Sequence, residues 1–237
     1  MIWSLIAISA LSYWLQIALF RKPADTFFYL LQDLAFVPVQ VLLVTLVISE
    51  LLSRREKAQL RHKMNMVIGA FFVEVGNDLL RIFAGLDLTA EEMRQRLRIS
   101  PDWSDKDFVT ARRSMREHSY TLHGGPTAFK QLKELLVERK SALLRLLENP
   151  NLLEHESFTD VLWAVCHLTE ELEYRPTLDV LPDPDLAHLE RDAERAYQKL
   201  VSEWLSYTRH LRDQYPYMFS LVVRTNPFDP EASVALT

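Results

Sequence analysis

FFYLLQDLAFVPVQVLLVTLVISELLSRREKAQLRHK, residues 27–63, decides the architecture. Its first 23 residues, Phe27 to Ser49, contain one charged side chain, Asp33. As a helix such a run measures about 34 Å, which matches the hydrocarbon core of a bilayer. The stretch therefore predicts a transmembrane helix. Arg54, Arg55, Lys57, Arg61 and Lys63 follow it directly. Cationic flanks of this kind are retained on the cytoplasmic side, and near a membrane surface each cation gains about 1 kcal/mol from anionic lipid headgroups. The lipid bilayer and its anionic headgroups are thus the first expected partners.

Upstream, MIWSLIAISALSYWLQIALF, residues 1–20, has no charged side chain and closes with Arg21 and Lys22. It reads as a first span, because a cleaved signal peptide would carry a basic leading region and a small-residue cleavage pattern. The link between the spans holds two cations against five beyond the second span. That asymmetry puts the link outside and both termini in the cytoplasm of a two-span inner-membrane protein. The expected hairpin domain is 1–52, with spans at about 1–20 and 27–49.

Polar residues in the hairpin share faces. Ser9, Ser12 and Gln16 line one side of the first helix, and Asp33 and Gln40, seven apart, one side of the second. An antiparallel hairpin brings Ser12, Gln16 and Asp33 to similar depth. Such a seam acts as hydrogen-bonding glue between helices, or lines an ion path at an oligomer axis. Asp33 lies close to the end of its span, where a carboxylate is cheaply solvated, and Pro38 offers a point for the chain to turn inward. Both features favour glue.

The remainder, 53–224, predicts an all-α cytoplasmic bundle followed by a mobile tail at 225–237. Leu60, Met64, Val67, Phe71, Val75, Leu79 and Ile82 recur in steps of three and four, so the second span should continue as a stalk helix over about 54–84. Gly69 and Gly76 share a face of that stalk, a pattern that fits close approach of a neighbouring helix. Thr89-Ala-Glu-Glu92 and Ser104-Asp-Lys-Asp107 are capping-box patterns for helices over 91–98 and 105–118. Further amphipathic helices are expected over 127–148, 157–173 and 186–215. The last carries Leu189, Ala193, Tyr197, Leu200, Trp204, Tyr207 and Leu211 along one side.

Composition narrows the function classes. The net charge of −5 argues against nucleic acid, which requires a dominant basic face. A single cysteine, Cys166, cannot form an intrachain disulfide and suits a reducing compartment. The chain lacks a P-loop, a dinucleotide glycine fingerprint, H-E-x-x-H, C-x-x-C, G-x-S-x-G and paired Glu-x-x-His motifs. No catalytic activity, cofactor or metal is expected from these patterns. His123-Gly-Gly reads as a turn between helices, and Cys166 as a core cysteine. Two weaker constellations stand out: an anion-binding face at Arg112, Arg113 and Arg116, and a grouping of His118, Tyr120 and His123 with Glu154, His155 or Glu156.

Together these features describe a membrane-anchored protein-interaction or scaffold module that binds a protein partner or a second copy through its cytoplasmic helices. The alternatives are a homo-oligomeric channel or transporter subunit with Asp33 and Gln40 facing the axis, and an enzyme working at the headgroup level.

Overall fold

The computed structural model describes residues 2–150, 152 and 155–235, without the side chains of Ile2, Leu5, Ala58, Arg61 and His62. The described residues are all-helical, with no sheet and one isolated antiparallel bridge between Asp87 and Leu122. The chain divides into two compact units, 1–59 and 60–237.

In the first unit α1 (Ile2–Phe20) is followed by α2 (Pro23–Phe71), a helix of 49 residues whose C-terminal turns belong to the second unit. Pro23–Lys57 is long and apolar enough to cross a membrane, with a mean hydropathy of 2.2 and none of its most apolar window buried. The apolar part of α1, Ile6–Phe20, is shorter. α2 runs on through Pro38 as one continuous helix.

The second unit is built around α8 (Asp183–Gln214). Each residue of its expected stripe, Leu189 to Leu211, is buried. It packs against α7 (Glu156–Tyr174), α5 (Asp105–Glu117), α9 (Pro216–Arg224) and α3 (Asn77–Leu86), while α6 (Pro126–Leu147) packs on α7 and α3. The short α4 (Ala90–Leu97) joins α3 to α5. The Met218–Val223 apolar run, which has no strand alternation, lies within α9.

Four departures from expectation have local causes. The stalk is not one α-helix: Phe72–Gly76 forms a π-helical turn between α2 and α3. Gly76 enables it, since a Cβ there would stand 2.6 Å from Phe72 Cδ1 and 2.8 Å from Phe71 Cε1. Its neighbours are therefore rings of its own helix, whereas Gly69 does face another helix, with Tyr207 Oη 2.8 Å from its Cβ position. Thr89 does not cap α4 with its side chain. Its hydroxyl donates to Asp87 at 2.6 Å and lies 2.9 Å from His118 Nε2, so one local and one tertiary partner displace the capping box. By contrast Asp107 accepts from the Ser104 amide at 2.7 Å while the Ser104 side chain accepts from the Asp107 amide, as the second box requires. Finally the segment after α9 docks: Asn226 Nδ2 donates to Leu97 O at 2.8 Å, and the buried Phe228 ring packs edge-on against Trp204 at 5.1 Å.

Replacing glycine by alanine in a helix ordinarily stabilises it by about 1 kcal/mol. Gly76→Ala should have the opposite sign, because the added methyl meets two fully buried rings, and overpacking of that kind costs about 1–3 kcal/mol. A lower thermal midpoint for Gly76→Ala is expected; an unchanged or raised midpoint would contradict the packing described.

Candidate functional site

α5 presents Arg112, Arg113 and Arg116 on about one turn of helix, and α8 lies alongside it. The three guanidinium groups line a groove of 440 Å³ together with Arg209 of α8, over a floor that includes the buried Phe108 and Leu205. A second hollow of 260 Å³ on the same arginine face is lined by Arg112, Arg116, Lys199 and Ser202. Some of this charge is compensated. Arg113 pairs with Glu117 at 3.2 Å, and Arg209 with Asp105 at 3.0 Å, where Arg212 also binds at 2.5 Å. The Arg212 guanidinium, and to a smaller extent Arg209, hold the Asp105 carboxyl below its ordinary value. Nearby, Arg94 and Arg96 are engaged by Glu91 and Glu92 within α4. Arg112 and Arg116 have no carboxylate partner among the described residues, and Arg112 Nε is buried without a hydrogen bond. The groove is thus a site of unspent positive charge with an apolar floor.

On the other flank of α8 lies a cluster that the motif reading missed. His167 Nε2 is 3.1 Å and His188 Nε2 3.3 Å from Oδ2 of Asp192, a residue only 3% exposed. Glu171 Oε2 is 3.5 Å from His188 Nε2. Arg175, at the end of α7, ties the two helices together: it binds Glu171 at 2.7 Å and Asp185 at 2.5 Å. Its guanidinium holds both carboxyls below their ordinary values against the opposing effect of burial. Neighbouring Cys166 has its thiol pushed up to about 11 by burial and by Glu170, so it is a poor nucleophile at neutral pH.

The remaining residues are placed as follows. Of the seam, Asp33 alone bonds to the other helix among the described residues, and its donor is Tyr13, at 3.4 Å. Ser12 instead bonds to Ile8 O of its own helix. Gln16 is partly covered, and Gln40 is exposed on α2. Arg54, Arg55, Lys57 and Lys63 are exposed, with Arg54 paired to Glu50 at 2.6 Å; the Arg61 side chain lies outside the described residues. His118 meets Tyr120, ring centroids 4.8 Å apart, but His123 is drawn off to Glu190 at 3.2 Å. His155 caps α7 through Nδ1, which accepts from the Phe158 amide at 3.3 Å, and Glu156 opens that helix. Glu154 is outside the described residues. Of the expected grouping only His118 and Tyr120 meet, and the other neighbours of His118 are Thr89 and, through it, Asp87.

Comparison with known proteins agrees with this helical organisation. Residues 60–224 match the family described as "Uncharacterized protein MJ1433, C-terminal helical domain", and residues 1–52 match "MJ1433, N-terminal helical domain". A Methanocaldococcus jannaschii protein, "Uncharacterized protein MJ1433", is 43% identical over 230 residues, covering 97% of this chain and 92% of its own. The chain belongs to the MJ1433 family. No solved structure matches it. Both the arginine groove and the histidine–carboxylate cluster lie within the C-terminal MJ1433 domain.

A signal for the cluster was present in the sequence of this family member. His167 and Glu171, and again His188 and Asp192, stand four apart, the spacing that puts two side chains on one helical face. A search for Glu-x-x-His passes over it.

The Arg175 clamp has a pH signature. Carboxyls depressed by folding stabilise the native state above their unfolded values, near 4, and that contribution is lost as pH falls through the folded values. Arg175→Gln should cost about 1.5–3 kcal/mol at neutral pH. In denaturant unfolding, its deficit against the parent should shrink as pH drops through the carboxylate range; a deficit unchanged in acid would contradict the clamp.

Proposed function

We propose that this protein is a membrane-anchored, non-catalytic interaction module, whose cytoplasmic helical domain docks an acidic segment of a partner protein in the Arg112–Arg116 groove. The observation that carries the reading is the Pro23–Lys57 segment, which is apolar and uncovered along its most apolar window. Exposing so large an apolar surface to water is strongly unfavourable, so a bilayer is its natural solvent. α1, apolar from Ile6 and joined to α2 by a short link, supplies the second span. The cations from Arg54 onward hold the C-terminal domain on the cytoplasmic side of the cell membrane.

The groove supports the rest. Guanidinium groups bind carboxylates through paired hydrogen bonds, and the Phe108 and Leu205 floor offers apolar contact to the same ligand. The hydrogen bond from Tyr13 favours packing over conduction as the role of Asp33.

Two measurements test this. A reporter fused after Thr237 should be active in its cytoplasmic form only; activity outside would reverse the topology. With the full chain in detergent, a poly-glutamate peptide should bind in a salt-sensitive manner, and Arg112→Gln with Arg116→Gln should weaken it by roughly tenfold or more. Equal binding by parent and double variant would remove the groove from the proposal.

A further inference from the structure

Asp192 poses a physical problem that its protein neighbours do not solve. It sits in α8 at 3% exposure, with Oδ1 bonded to Arg195 at 3.0 Å. Its Oδ2 has two ring nitrogens within 3.3 Å and yet receives a hydrogen bond from neither. An imidazole N–H or lone pair projects in the plane of the ring, so each Nε2 is directed beside the oxygen rather than at it. A buried carboxylate oxygen left in this state is costly.

Donors that surround a common cation have this relationship: each points to the ion, and none to another. Around a tetrahedral ion with bonds of about 2.0–2.1 Å, neighbouring donor atoms stand about 3.3 Å apart. Here Asp192 to His167, Asp192 to His188 and Glu171 to His188 measure 3.1, 3.3 and 3.5 Å. The ligand-type atoms of His167, Glu171 and His188 all lie within 4.8 Å of one another.

We propose that His167 and Glu171 of α7, with His188 of α8, bind one divalent cation of the zinc class beside the buried carboxylate of Asp192. Two imidazoles select a borderline first-row ion over magnesium or calcium, and two carboxylates neutralise its charge. Arg175 on Glu171 and Arg195 on Asp192 are the outer partners that orient those carboxylates. His167 and His188, 46% and 41% exposed, leave a path of entry. Cys166 precedes His167 and points about 100° away around the helix, so it is not a ligand. Because its donors come from both helices, the ion acts as a staple between α7 and α8.

The test uses the full chain in detergent, stripped with chelator and titrated with Zn²⁺ by calorimetry and with Co²⁺ by visible absorption. One ion per chain is expected, with a raised thermal midpoint and the intense absorption bands of tetrahedral Co²⁺. His167→Gln and His188→Gln change half-exposed side chains and leave the core intact; each should weaken binding by at least about tenfold and abolish the thermal shift. His123→Gln, outside the cluster, should bind as the parent does. Absence of Zn²⁺ binding by the parent, binding unchanged in both cluster variants, or equal affinity for Mg²⁺ would each overturn the assignment.

Discussion

An apolar helix that no part of the protein covers constrains everything else in the molecule. No side chain is buried along the most apolar window of Pro23–Lys57, and the exposed large apolar residues of the chain are concentrated in that segment and in α1. A globular protein buries such surface against itself, because apolar area left in water costs about 25 cal/mol per Å². Here the covering medium has to come from outside. The same helix continues to Phe71, where its side chains become core residues of the second unit, with Met64, Ile68 and Phe71 fully enclosed. One helix therefore carries both an uncovered apolar stretch and core residues of the second unit.

Within the second unit α8 carries the organisation. Its stripe from Leu189 to Leu211 is buried, and each distinctive site lies along one of its flanks. Arg209 brings α8 to the groove formed with α5, while His188 and Asp192 bring it to the cluster formed with α7. Farther along, Tyr207 stacks on Phe72 at 5.3 Å beside the π-helical turn and closes on Gly69. A long helix packed on several sides can hold such groups rigidly, since the backbone that positions them cannot move independently of the core. The two sites differ in character: the groove leaves the Arg112 and Arg116 charge without a carboxylate among the described residues, whereas the cluster gathers its histidines around a buried carboxylate.

The all-α class was legible because periodicity over long amphipathic segments is a strong signal; helix ends at 126, 156 and 183 fall near Thr127, Ser157 and Leu186, where the patterning begins. Features decided by tertiary contact were not legible. Thr89 has the composition of a cap but is taken by Asp87 and His118, which come together only once Asp87 pairs with the segment around Leu122. The segment after α9 has no helical patterning, yet Asn226 and Phe228 find Leu97 and Trp204 far away in sequence, and Val234 O accepts from Arg224. Arg112, Arg113 and Arg116 could be read as one helical face, but Arg209, the fourth cation of the groove, belongs to another helix. The cluster is the sharpest case: each half is an ordinary i,i+4 pair, and only the packing of α7 on α8 brings His167 and Glu171 to His188, with Asp192 against both histidines.

The anchoring helix is tested most directly by flotation of the full chain expressed in cells, after washing membranes with high salt and then with alkaline carbonate. A chain solvated by lipid along Pro23–Lys57 stays with the membrane through both washes and floats with it. Release by salt alone would mean that the protein is held only by its surface cations, and that its apolar helix is covered by another protein instead of the bilayer.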